Sequence, residues 1–159
     1  MGRIDETWLT ATGEVATADK LMAVIGEHVT RGGRVFVGCD SNINGITCTY
    51  VTAIALYDEI ARIGGRYFFQ RTKVPFDSKT PLRVRLMDEA TQAIEVALEL
   101  QGALPTAQIE IHLDVSQIKE NKSNSVADQV AGYARAAGFS YKLKPDSWAS
   151  SCVADEHTR

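Results

Sequence analysis

Apolar residues Leu21, Val24, Ile25 and Val29 recur at helical spacing between Thr17 and Arg31, and Gly32-Gly33 closes the stretch. This predicts an amphipathic helix with a glycine stop. The next run, RVFVGCD, is short, β-rich and nearly continuous in apolar character, which suits a strand buried on both faces. It ends on Asp40. The turn formers Asn42, Asn44 and Gly45 lead into ITCTYVTAIALYD, and a third β-rich stretch, GRYFFQRTKV, follows Gly64-Gly65. Residues 34 to 74 therefore predict three consecutive antiparallel strands.

Pro75 and Pro81 bracket a loop. From Leu82 to Leu100 there is neither Gly nor Pro, and Leu86, Ala90, Ala93, Ile94, Ala97 and Leu100 mark one face of a long helix. Gly102 and Pro105 end it, and QIEIHLDV reads as a strand that also finishes on an aspartate, Asp114. A polar loop, SQIKENKSN, precedes a helix from about Ser125 to Ala137, Gly138 opens the short strand FSYKLK, and Pro145 starts a final helical segment. The order is helix, three strands, then helix, strand, helix, strand, helix, without an internal repeat. It implies one mixed sheet covered by helices.

With 159 residues and 45% apolar content, the chain suits one domain with one substantial core. We expect a lead segment over residues 1–33, helical and packed on a domain spanning 34–159. A net charge of -3 argues against a protein that coats nucleic acid by bulk electrostatics, and leaves room for a local basic patch. Cys39, Cys48 and Cys152 form no zinc-like spacing and read as reduced structural thiols. No stretch approaches the ~20 apolar residues needed to cross a bilayer, and the N-terminus lacks an apolar signal core. The expected compartment is the cytoplasm.

The chemistry is carried by carboxylates. Asp40 and Asp114 each follow a hydrophobic strand, at the sheet edge where ligand crevices form in open α/β folds. One such aspartate serves just as readily to cap a turn; two at matched strand ends favour a site. On the long helix, with Leu86 at zero, Glu89 projects to about -60°, between Val96 at about -80° and Leu100 at about -40°. Glu89 thus lies in or at the rim of the apolar stripe, where a carboxylate needs a partner or a metal. Asp88, Glu95 and Glu99 project to the opposite side as ordinary surface charges. Asp146 directly follows Pro145 and reads as a helix cap, whereas Asp155, late in its helix, opposes the helix dipole and is the better candidate ligand.

Carboxylates gathered at one sheet edge repel one another, and hard divalent cations such as Mg²⁺ relieve that repulsion. Two such ions can activate water and stabilise the leaving oxygen of a phosphodiester. Histidines are not needed for this: His28 is expected to face solvent, His112 to be a packed or edge residue within a strand, and His157 to lie near a frayable end.

The blocks VFVGCDSN, GGRYFFQR, LRVRLMDEATQAIEVALEL, EIHLDV followed by NKSN, and KPDSWASSCVAD resemble the YkuK-like proteins, predicted nucleases of the ribonuclease H-like superfamily. They run in order from Val35 to Asp155. The resemblance implies a five-stranded mixed α/β sheet in the order 3-2-1-4-5, flanked by helices, with the first and fourth strands adjacent and parallel. It further implies catalytic metal ligands at Asp40, Glu89, Asp114 and Asp155, holding Mg²⁺ or Mn²⁺. Lys122 and Asn124 match the family's polar loop without an assigned role. Arg62, Arg66, Arg71, Lys73, Lys79, Arg83 and Arg85 would form a phosphate-tracking patch if the third strand and the start of the long helix share an edge.

The leading expectation is metal-dependent hydrolysis of phosphodiester bonds in RNA, DNA or a hybrid. The main alternative is a non-catalytic nucleic-acid or protein binding module on the same fold. A small-molecule phosphate or nucleotide hydrolase is a third class, without a GxxxxGK[ST] or GxGxxG loop to support it.

Overall fold

A computed structural model describes residues 2–58, 63–116, 124–144 and 146–149. A 3-10 turn (Arg3–Asp5) precedes the short strands β1 (Trp8–Thr10) and β2 (Val15–Ala16) and helix α1 (Ala18–Thr30). Strands β3 (Arg34–Asn44), β4 (Thr47–Asp58) and β5 (Ile63–Pro75) follow, then α2 (Leu82–Ala103), β6 (Ile109–Ser116), α3 (Asn124–Ala136) and β7 (Ser140–Lys144).

All seven strands form one sheet in the order β2-β1-β5-β4-β3-β6-β7. The expected count of five is corrected, because the lead segment is not helical throughout. Its β1 pairs antiparallel with β5 through Leu9↔Phe69 and Thr10↔Phe68, and β2 pairs with β1. The remaining five strands, β5-β4-β3-β6-β7, stand in the sequence 3-2-1-4-5, with β3 parallel to β6. None of the helices among the described residues is long and apolar enough to cross a membrane.

Local chemistry sets the element ends. The Thr17 hydroxyl accepts from the Lys20 N–H and caps α1. At the other end Gly32, with φ +84°, lets Gly33 N–H reach His28 O and Gly32 N–H reach Val29 O, closing the helix in a Schellman arrangement. Gly45, with φ +62°, takes the first central position of the two-residue turn joining β3 to β4, a place that favours glycine.

The two faces of the sheet differ. Val35, Val37 and Cys39 of β3 and Ile109, Ile111 and Leu113 of β6 pack with Leu21, Ile94 and Val130 of the helices into the main core. The alternate residues occupy the opposite face, where small clusters form around Phe36, Ala55 and Ala149, and around Val51, Ala53 and Phe69. By strand alternation Asp40, Glu110, His112 and Asp114 belong to this second face.

His28 corrects an expectation: it is buried, not solvent-facing, and its Nε2 lies 2.8 Å from Arg34 O. It falls seven residues after Leu21, on the same buried stripe, and ties the end of α1 to the start of β3. Glu99 is half-buried; its carboxylate accepts from the N–H groups of Arg3 (3.1 Å) and Ile4 (3.3 Å) and so anchors the N-terminal turn.

Candidate metal centre

Strand β3 does not stop at Asp40 as its apolar run suggests. Antiparallel pairing with β4 carries it four residues further, from Ser41↔Tyr50 to Asn44↔Thr47, whereas parallel pairing with β6 extends only from Val35↔Ile109 to Gly38↔His112. Continuing the same register by two residues sets Asp40 opposite Asp114. Both aspartates therefore stand where the two strands part, and the parting leaves space between them.

Glu89 enters that space from α2. It is buried at 4% exposure on the same stripe as Leu86, Ala90, Ala93 and Ile94. One oxygen each from Asp40, Glu89 and Asp114 lie within 4.8 Å of one another. Asp88 and Glu95 are exposed, and the Tyr50 hydroxyl of β4 lies 3.2 Å from Asp88 at the rim between helix and sheet. Asp155, Cys152, His157, Lys122 and Arg62 lie outside the described residues, as do the side chain of Asn124 and most of the expected final helical segment.

Around the three carboxylates stand polar groups that sequence reasoning missed. The Ser41 hydroxyl donates to Glu89 Oε1 at 2.5 Å, and Ser41 N–H donates to Asp40 Oδ1 at 2.8 Å. The Lys144 ammonium, at the end of β7, meets Asp114 Oδ1 at 2.7 Å. Arg85 lies one helical turn before Glu89, and its Nε is buried without a hydrogen-bond partner among the described residues. A hydroxyl directly after a candidate aspartate and a basic residue at i-4 from a buried glutamate are signals a sequence does hold. The Lys144 contact depends on β7 lying beside β6 and had no such signal.

Burial, first of all, pushes the Glu89 carboxyl well above the usual carboxylate range; the Ser41 hydrogen bond opposes this, Asp40 and Asp114 add to it, and Arg85 opposes it. The hydrogen bond to Asp114 leads the causes that raise Lys144, with Asp40 and Glu89 adding to them. Burial raises the Cys39 thiol, and Glu89 raises it further, so this free cysteine stays protonated and inert.

The three oxygen donors suit a hard divalent cation such as Mg²⁺ or Mn²⁺, which takes carboxylates and completes its shell with water or phosphate oxygens. Burial and the two aspartates disfavour ionised Glu89, and a cation held among the three carboxylates offsets that cost.

The neighbouring surface is basic on one side. Asp40 pairs with Val51 and Val51 with Arg71, while Asn42 pairs with Thr49 and Thr49 with Lys73. Arg71 and Lys73 thus share the face that carries Asp40, two strands or ~10 Å away, and both are exposed. Arg71 also lies over the Phe69 ring, 5.4 Å from its centre. Arg83 and Arg85 belong to α2, which packs on the other face, so these two pairs of charges are not one continuous patch on the sheet.

A family model described as ribonuclease H-like matches residues 16–159. Neither a curated protein nor a solved structure matches the chain.

Proposed function

The chain belongs to the ribonuclease H-like family, that of the YkuK-like proteins, and on that premise we propose that it is a divalent-metal-dependent nuclease hydrolysing phosphodiester bonds of RNA or DNA. The observation that carries this reading is the convergence of Asp40, Glu89 and Asp114, from two strands and a helix, within 4.8 Å. We assign these three, with Asp155 as a fourth, to the binding of Mg²⁺ or Mn²⁺.

Bound there, the ion would lower the pKa of a water and offset charge on the leaving oxygen. The chain's own groups do the positioning. Ser41 holds Glu89 through its hydroxyl and Asp40 through its N–H, fixing two ligands relative to each other. Lys144 holds Asp114 and adds a positive charge beside the carboxylates. Arg71 and Lys73, on the same face, supply contacts for flanking phosphates, which orient a strand without reading its sequence.

One observation favours the non-catalytic binding module instead: the Lys144 ammonium pairs with an Asp114 oxygen that a metal would otherwise use. The deciding experiment incubates labelled single strands, duplexes and hybrids with Mg²⁺ or Mn²⁺. We expect cleavage of at least one polymer by the wild type and none by Asp40→Asn. A folded wild type that binds polymers yet cleaves none with either ion would select the binding module.

A further inference from the structure

We propose that the same sheet face carries a second site, a pocket that takes a nucleotide with its base against Trp148 and Tyr57 and its phosphate toward Lys142. A cavity of about 500 Å³ opens at the start of β3, β6 and β7, far roomier than the crevice beside Glu89 and within the ~300–1,000 Å³ range of small-molecule sites. It is not at the carboxylates. Asp40 lies four residues beyond Phe36 on β3, and Asp114 four beyond Glu110 on β6, a separation of ~13 Å along the strands. Between the two places the chain crosses over His112, whose Nδ1 accepts from the N–H groups of Trp148 (3.0 Å) and Ala149 (2.9 Å).

The pocket is built rather than incidental. Because His112 Nδ1 accepts two backbone hydrogen bonds, its proton sits on Nε2, which donates to Glu110 Oε1 at 3.0 Å. Glu110 Oε2 in turn accepts from Arg34 at 2.9 Å. This chain of bonds, with His112 1% and Glu110 7% exposed, fixes the backbone that carries Trp148. The indole packs on Phe36, ring centres 4.8 Å apart, and lies 6.5 Å from Tyr57 edge-on. An aromatic wall is thus held in place before any ligand arrives, which lowers the ordering cost of binding.

The lining identifies the ligand. Three aromatic residues, Phe36, Tyr57 and Trp148, meet four charged ones, Arg34, Glu110, Lys142 and Asp146. Among the described residues that line it, aromatic rings alternate with charged groups, a combination that suits a planar ring carrying polar substituents. A planar heteroaromatic ring stacks on such walls irrespective of its sequence identity. Lys142 and Arg34 favour an attached phosphate, and the Asp146 carboxylate accepts from amino or hydroxyl groups.

The site makes no use of a metal, so it is tested apart from the nuclease reading. The chain has two tryptophans, and Trp8 is 0% exposed while Trp148 is 37% exposed; quenching of emission by a ligand therefore reports on Trp148. With a chelator present, the full chain is titrated with AMP, GMP, CMP and UMP and with a short single-stranded oligonucleotide. We expect saturable quenching that Asp40→Asn leaves unchanged. By calorimetry, Trp148→Ala and Lys142→Glu should each weaken binding about ten- to a hundredfold, while Trp148→Phe, which keeps a ring, should bind nearly as well as wild type. Mononucleotides sufficing would mean a free nucleotide; a requirement for the oligonucleotide would mean a base of a bound strand, and either supports the pocket. Absence of binding by every nucleotide overturns it, as does binding that survives Trp148→Ala and Lys142→Glu but is lost in Asp40→Asn.

Discussion

Replacing Glu89 by Gln removes one charge from the carboxylate cluster while keeping its shape and an oxygen for the Ser41 hydroxyl to donate to. At the 4.8 Å limit on their separation and an effective dielectric constant of ~20, each ionised neighbour raises the energy of ionised Glu89 by roughly 3 kcal/mol. Lys144, bound to Asp114, and the nearby Arg85 offset part of this repulsion. The Ser41 hydrogen bond is stronger to a carboxylate than to an amide, by roughly 1 kcal/mol. The net expectation is that Glu89→Gln is more stable than wild type by about 2 kcal/mol near neutral pH without metal. For a domain of this size that is a rise of roughly 4–8 °C in Tm.

The pH dependence follows from the direction of the shift. Burial first, then Asp40 and Asp114, raise Glu89 above its unfolded value, so the folded protein prefers the protonated group. Below ~4.3, the ordinary glutamate value, the carboxyl is protonated in both states and the two proteins should be equally stable. As pH rises through the raised folded value, the wild type loses stability that the glutamine variant keeps. Mg²⁺ should reverse the order, because an ion at about 100 times its Kd adds about 2.7 kcal/mol to a protein that binds it and the variant lacks one ligand. Thermal unfolding followed by circular dichroism, at acid and neutral pH with and without Mg²⁺, reads all of this. A variant less stable than wild type in metal-free neutral buffer would refute the repulsion argument, and an equal Mg²⁺-induced rise in both proteins would remove Glu89 from the ligand set.

Asp40→Asn and Asp114→Asn should each abolish metal-dependent cleavage while folding normally, with Glu95→Gln, exposed on the far side of α2, retaining activity in the same assay. Lys144→Met should tighten Mg²⁺ binding in a calorimetric titration, since it removes the cation competing for Asp114; unchanged or weaker binding would show that Lys144 does not compete for the site. His112→Leu should destabilise the protein by about 2–4 kcal/mol in urea unfolding, because it strands the N–H groups of Trp148 and Ala149 and a partner of Glu110. Burial lowers His112 below its ordinary value despite Glu110 beside it, so its neutral ring supports the fold above ~6.5 and that support fades as pH falls through the lower folded value.

What the chain determined by itself is what repeats locally. The alternation along RVFVGCD and the stripe from Leu86 to Leu100 are properties of neighbouring residues, so they announced the strands, the long helix and the inward position of Glu89. The matched aspartates were legible for the same reason, as was the packed character of His112. Glycines with positive φ at Gly32, Gly45 and Gly138 marked element ends because few other residues tolerate that backbone. The rest was decided by segments far apart in sequence meeting in space. The short stretches at Trp8 and Val15 have too few residues to show a period; the first became a strand because β5 offered it an edge, and the second because the first did. Strand β3 runs past Asp40 because β4 continues to pair with it after β6 has turned away, and that divergence, which periodicity does not encode, opens the space between Asp40 and Asp114. Glu99 looked like a surface charge until the N-terminal turn folded onto it, and Lys144 met Asp114 through the pairing of β7 with β6. Periodicity tells a residue which face it occupies; only the register between distant strands tells it which residues it will face there.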